Sequence, residues 1–174
     1  KVLKLICADH GVPFVVNDRP DLALEAGADG VHVGQDDAPP SLARRILGPD
    51  ALIGQSTHAS RDLDETLGPG GQVLDYISAG PVVETPTKPT RPAAGREYIA
   101  TAAARSPRPV FVTGGVTPQT VGDLVARGAR HFVVVRWLTG ASEPEEAARA
   151  LRRSIDMAIT MAVEMAEPGT SGES

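Results

Sequence analysis

Two acidic clusters stand where a divalent ion could be held. Asn17-Asp18-Arg19 follows the apolar run Phe14-Val15-Val16, and Gln35-Asp36-Asp37 follows a second apolar run that contains Val31 and Val33. Between them Leu22, Ala23 and Ala26 fall on one face of a short helix that Gly27 closes. Strand, helix and strand in so few residues make a βαβ unit, whose crossover sets the two strands parallel and side by side. Both clusters then lie at the same end of the sheet, and Asp18 and Asp37 can reach toward one ion. Mg²⁺ takes one or two carboxylates and fills its remaining positions with water and phosphate oxygens. Asp36 competes with Asp37 for the second place, and strand alternation does not separate them.

Three further groups suit phosphate chemistry. The stretch Pro81 to Pro92 holds four prolines, excluding helix and sheet interior, and presents Thr85, Thr87, Lys88, Thr90 and Arg91. Two hydroxyls and an ammonium at Thr85 to Lys88 fit a diphosphate better than a neutral ligand. Gly114-Gly115 follows a strand and exposes bare backbone N–H groups to a phosphate that approaches closely. Val135-Arg136 ends the last strand. Ser56 and His58 complete the set; His58 has no matched acid or nucleophile in the sequence and is given no catalytic role.

The elements that must position these groups alternate along the chain. Ser41 caps a helix that Gly48 ends, Ala51 to Gly54 is a strand, and Ser60 caps a helix through Leu67. A strand over Asp75 to Gly80 opens into the proline-rich loop, and an alanine-rich helix spans Arg96 to Arg105. The strand Val110-Phe111-Val112 follows, then a helix starting at Thr117-Pro118, the strand His131 to Val135, and a long helix with Ser142 and Glu145 at capping-box spacing. About six strands alternating with helices predict a parallel sheet with helices outside it. Polar or glycine-rich residues close nearly every strand, which favours a (β/α)8 TIM barrel over an open doubly wound sheet. Two strands are short of eight, and the opening residues Val2, Leu3, Leu5 and Ile6 read as the last turns of a helix, so upstream strands are expected. Residues 1–163 form one domain, and 164–174, with no periodic apolar face, is expected to be a disordered tail.

Composition limits the function. With 17 basic against 22 acidic residues there is no basic stripe for nucleic acid, and aromatic content of 3% leaves no stacking platform. No apolar run approaches the roughly 20 residues of a membrane span. The single cysteine, Cys7, makes no internal disulfide, which fits a reducing cytoplasm. From its residues alone the chain is a metal-dependent enzyme acting on a phosphate and a diphosphate.

The runs VNDRPDLALEAGADGVHVGQDD, IGQSTH, GPVVETPTKPT, and VTGGV followed by GARHFVVVR resemble the thiamine-phosphate synthase family, in that family's order and across nearly the whole chain. The resemblance implies a (β/α)8 barrel that condenses 4-amino-2-methyl-5-(diphosphooxymethyl)pyrimidine with thiazole phosphate, giving thiamine phosphate and pyrophosphate. It implies Mg²⁺ on Asp18 and Asp37; Asn17, Ser56 and Lys88 on the pyrimidine diphosphate; and Thr85, Pro86, Thr87 and Gly115 on the thiazole phosphate. Val135-Arg136 falls where the family uses a dipeptide, often ending in serine, for that same phosphate. Lys88 and Ser56 are the residues expected to serve a dissociative departure of diphosphate. The family's Q-x-R-x-K motif has no match, and Lys1 falls just beyond its place, so the first two strands are expected to be absent from this chain. Rival readings are the related thiazole tautomerase, a non-catalytic remnant binding thiazole phosphate or thiamine phosphate, and a phosphate-binding isomerase or epimerase barrel. The GQDD run argues against the first, and the last needs an acid-base pair that the sequence does not offer. A cytoplasmic protein, with small-molecule substrates and self-association allowed, completes the expectation.

Overall fold

A computed structural model describes residues 2–84 and 92–166. Its frame is six short strands, β1 (Val15–Asn17), β2 (Gly30–Val33), β3 (Leu52–Thr57), β4 (Tyr76–Ala79), β5 (Val110–Thr113) and β6 (His131–Val133). All neighbours pair in parallel and in chain order, from β1 to β6. Parallel neighbours need a crossover, which the helices supply: α1 (Val2–Asp9) before β1, then α2 (Pro20–Ala26), α3 (Pro40–Leu47), α4 (Ser60–Leu67), α5 (Gly95–Arg105) and α6 (Val121–Ala126) between strands. A short helix α7 (Arg136–Thr139) and the long α8 (Pro144–Ala166) follow β6. The result is an α/β half-barrel, six strands of a TIM-type arrangement, open between β1 and β6.

Side chains on each strand alternate between two environments. Val31, Val33, Ile53, Ile77, Ala79 and Val112 face the helices and are buried against Ala43, Leu63, Ile99 and Leu124. This layer between sheet and helices is the core, built from branched aliphatics. The opposite face of the strands lines a cavity of about 1190 Å³. Arg44 locks the amino ends of β3 and β4: its guanidinium donates to the carbonyls of Gly48, Pro49, Ala51 and Val73 and to the Asp75 carboxylate at 2.7 Å.

Helix starts depart from the sequence expectation. α3 begins at Pro40 after Pro39, so Ser41 is inside the first turn, and Ser60 is the first residue of α4 and not its cap. α4 has no side-chain cap; the Asp62 carboxylate, inside the helix, accepts the His58 N–H ahead of it at 2.8 Å. Thr117-Pro118 forms a turn ahead of α6, whose flanking residue is Thr120. α8 begins at Pro144, two residues after Ser142, and continues through Ala166, so residues 164–166 are helical where a disordered tail was expected. Residues 167–174 lie outside the described part. No helix among the described residues is long and apolar enough to cross a membrane.

Candidate active site at the carboxyl ends of the strands

Asn17 is the last residue of β1 and lines the cavity. Asp18 follows in a left-handed conformation, φ 66°, its N–H donating to the His32 carbonyl at 2.7 Å and so tying it to β2. After β2 the chain turns, and the Asp37 carboxylate accepts the Gly34 N–H at 2.7 Å, which fixes the loop in a closed form. Asp18 and Asp37 carry hard oxygen donors, the type Mg²⁺ takes, on adjacent loops at one sheet end, and neither borders the cavity itself. Among the described residues no group of three or more His, Cys, Asp or Glu side chains gathers for a metal.

The next strand end supplies Ser56, half-buried and lining the cavity. Its carbonyl accepts from Gln35 Nε2 at 2.6 Å, and its Oγ lies 2.9 Å from His32 Nε2 and 3.4 Å from Ser78 Oγ. His58, one residue past β3, holds its Nδ1 against the Gly80 carbonyl and also lines the cavity. A carbonyl only accepts, so this contact sets the Nδ1–H tautomer and braces the start of the β4 loop. That loop turns inward through Pro81 and Val82, both buried. Thr85, Pro86, Thr87 and Lys88 lie outside the described residues.

Gly114 and Gly115 leave β5 with φ 84° and 78°, which disfavours any side chain. A Cβ on Gly114 would come within 2.4 Å of Pro81 Cβ, and one on Gly115 within 2.5 Å of Val83 Cγ2. The β5 turn therefore lies directly against the β4 loop, with its backbone open to the cavity. Thr120 pins it, its Oγ1 donating to the Gly115 carbonyl at 2.8 Å and accepting the Thr117 N–H at 2.9 Å. Val135 and Arg136 line the same cavity from beyond β6; the strand stops at Val133, and Arg136 opens α7. Asn17, Ser56, Gly115, Val135 and Arg136, placed on one site from sequence, thus border one space.

The sequence reading gives no site role to His32, Tyr76 or Thr120, and names Gln35 only as part of the second acidic cluster. His32 sits in the apolar string Val31-His32-Val33, and alternation alone turns its ring inward when both valines turn out. It stacks on Tyr76 with ring centres 5.4 Å apart; Tyr76 meets Phe111 edge-on at 5.1 Å, and Phe111 stacks on His131 at 5.0 Å. This band crosses the cavity from β2 to β6. Burial, with the nearby Asp75 charge, pushes the Tyr76 phenol up to about 12. The ring stays protonated at any physiological pH.

The family model described as thiamine monophosphate synthase matches residues 1–138. A thiamine-phosphate synthase of Thermus thermophilus is 48% identical over 147 residues, 84% of this chain and 69% of that protein. The thiamine-phosphate synthase of Thermosynechococcus vestitus is 41% identical over 88% of this chain, which spans only 43% of that relative's length. Among solved structures, a thiamine phosphate pyrophosphorylase from Pyrococcus furiosus superposes with a TM-score of 0.79 at 27% identity, covering 90% of this chain and 74% of that one. A 3-hexulose-6-phosphate synthase from Salmonella typhimurium, at 20% identity and TM-score 0.62 over 90% of this chain and 79% of its own, shares the fold alone. The family model over residues 1–138 and the identity to these relatives make this chain a member of the thiamine monophosphate synthase family.

Proposed function

We propose that this chain carries the substrate face of a thiamine-phosphate synthase, a cytoplasmic transferase that joins the pyrimidine diphosphate to thiazole phosphate and releases pyrophosphate. The observation that carries the reading is that Asn17, Ser56, Gly115, Val135 and Arg136, all at or beyond the carboxyl ends of their strands, border one cavity that runs along the inner face of the sheet. In this reading Asp18 and Asp37 hold Mg²⁺, and Asn17 and Ser56 orient the pyrimidine diphosphate, with Lys88 beside its oxygens. Thr85, Pro86, Thr87, the Gly115 backbone, Val135 and Arg136 receive the thiazole phosphate. Bound Mg²⁺ supplies positive charge to the leaving diphosphate. The chain's own part is positional: the cavity aligns the pyrimidine methylene with the thiazole nitrogen, and its polar groups answer charge that develops on departure. The C–O bond to diphosphate breaks, its electron pair leaving with the diphosphate, and the nitrogen lone pair forms the new C–N bond. No general base is required, in keeping with His58 being committed to Gly80 through Nδ1.

The test is pyrophosphate release by the purified chain given both substrates and Mg²⁺. Turnover is expected to vanish on chelation and to fall at least about 100-fold in Asp18→Asn, a loss of roughly 3 kcal/mol of transition-state stabilisation. Full activity in Asp18→Asn rejects the metal assignment. Binding of thiazole phosphate without any pyrophosphate release rejects catalysis by this chain and leaves a binding half-barrel.

A further inference from the structure

The polar contacts on the cavity floor form a chain from Tyr76 through His32 to Ser56. Tyr76 Oη lies 3.1 Å from His32 Nδ1, and His32 Nε2 lies 2.9 Å from Ser56 Oγ. We propose that Tyr76 is a positioning residue: its phenol donates to His32 Nδ1, which sets the Nε2–H tautomer, and that N–H donates to Ser56 Oγ, leaving the serine proton to be donated into the cavity.

Four observations support this direction. A phenol is a stronger acid than a neutral imidazole and a poorer acceptor, because its oxygen lone pair is delocalised into the ring, so the bond to Nδ1 is best made with tyrosine as donor. Burial beside Asp75 keeps Tyr76 protonated, so the donor is always present. The geometry is held from both sides: the Tyr76 ring stacks on His32, and it crosses β3 where Gly54 has no side chain. Ser78 Oγ lies 3.4 Å from both His32 Nε2 and Ser56 Oγ; once Nε2 carries the proton, the Ser78 hydroxyl donates to Ser56 Oγ, so Ser56 accepts twice and its own O–H is the group left for a ligand. An inward-pointing donor is what an anionic diphosphate oxygen requires, whereas the opposite tautomer would turn a lone pair on it.

The consequence for ligand rests on the proposed role of Ser56 at a diphosphate; the tautomer does not. The experiment therefore reads both separately. Long-range ¹⁵N–¹H NMR of the chain with labelled histidine, at mildly alkaline pH, is expected to show His32 protonated at Nε2 and His58 at Nδ1, since His58 faces the Gly80 carbonyl. His32→Gln assigns the signal. Tyr76→Phe is expected to move His32 toward the Nδ1–H form or a mixture while His58 stays unchanged. In the same variant the affinity for inorganic pyrophosphate with Mg²⁺ is expected to fall about fivefold, the worth of one hydrogen bond. An Nδ1–H or doubly protonated His32 in the unaltered chain overturns the proposal without need of any variant. So does an Nε2–H signal that Tyr76→Phe leaves in place. If the unaltered chain takes up no pyrophosphate but its His32 reads as expected, the relay stands and the diphosphate reading of Ser56 is what fails.

Discussion

Asp18 is the one non-glycine residue among those described with positive φ, and it stands where the proposed metal would be held. A left-handed backbone costs an ordinary L-residue roughly 1–2 kcal/mol, and aspartate and asparagine bear it more easily than others through local hydrogen bonding. The strain and the charge can therefore be separated by choice of substitution. Asp18→Ala is expected to be less stable than Asp18→Gly by about 1 kcal/mol in urea unfolding, and Asp18→Asn more stable than Asp18→Ala. All three lose the carboxylate, so all three lose Mg²⁺ dependence if the assignment holds. An alanine variant as stable as the glycine variant would show that residue 18 does not adopt the left-handed form in solution. The acids and glycines were legible in the sequence because their residue types announce chemistry. The φ of Asp18 was not, because it is set by the bond from its N–H to the His32 carbonyl across the sheet.

At the level of elements, the decisive feature is how four strands place their inward side chains over one another. Gly54 pairs with Tyr76 in the β3–β4 register, and a Cβ there would lie 2.1 Å from Tyr76 Cζ. The aromatic band exists because β3 withholds a side chain at this level. Gly54→Ala is expected to destabilise by about 1–3 kcal/mol, since the ring must tilt away from His32 or the strands must part. In a Tyr76→Ala background the same substitution should cost far less, and the double-mutant cycle measures the coupling. A cycle with no coupling would place the ring elsewhere. The strands themselves were readable, because each is a short apolar run ended by polar or glycine-rich residues. Helix starts were not: Ser41, Ser60, Thr117 and Ser142 each have capping chemistry, yet α3, α4 and α6 are flanked by Pro39, Ala59 and Thr120 with no side-chain cap, and Asp62 and Thr120 accept instead from His58 and Thr117 ahead of the first turn. A cap is a contest between neighbours three or four residues apart, and sequence shows the contestants without the outcome. His32 was passed over for a related reason, since its partners Ser56 and Tyr76 come from β3 and β4, far along the chain.

For the whole molecule, the sequential strand order was implicit in the alternation of elements. The size of the cavity was not, because it depends on how six strands curve together. The chain has two tyrosines, Tyr76 half-buried on the cavity side and Tyr98 of α5 buried in the core, and their burial has a thermodynamic consequence. Burial raises both phenols above their ordinary value of 10, Tyr76 to about 12 with a further push from Asp75, and Tyr98 upward chiefly by burial. Between about pH 10 and 12 the unfolded chain then releases protons that the native state keeps. Stability is fully present below the unfolded value and is lost as pH rises toward the native one. The expected result is a steep alkaline decline in urea-unfolding free energy, flattened in Tyr76→Phe, with tyrosinate absorbance in the native protein rising only well above the ordinary midpoint. The partial exposure of Tyr76 reduces its share below the ideal 1.4 kcal/mol per pH unit per proton, about which the wild-type slope would otherwise be built. A native titration centred near 10 would mean that water reaches both rings freely, and the aromatic band with the cavity floor it forms would then not persist in solution.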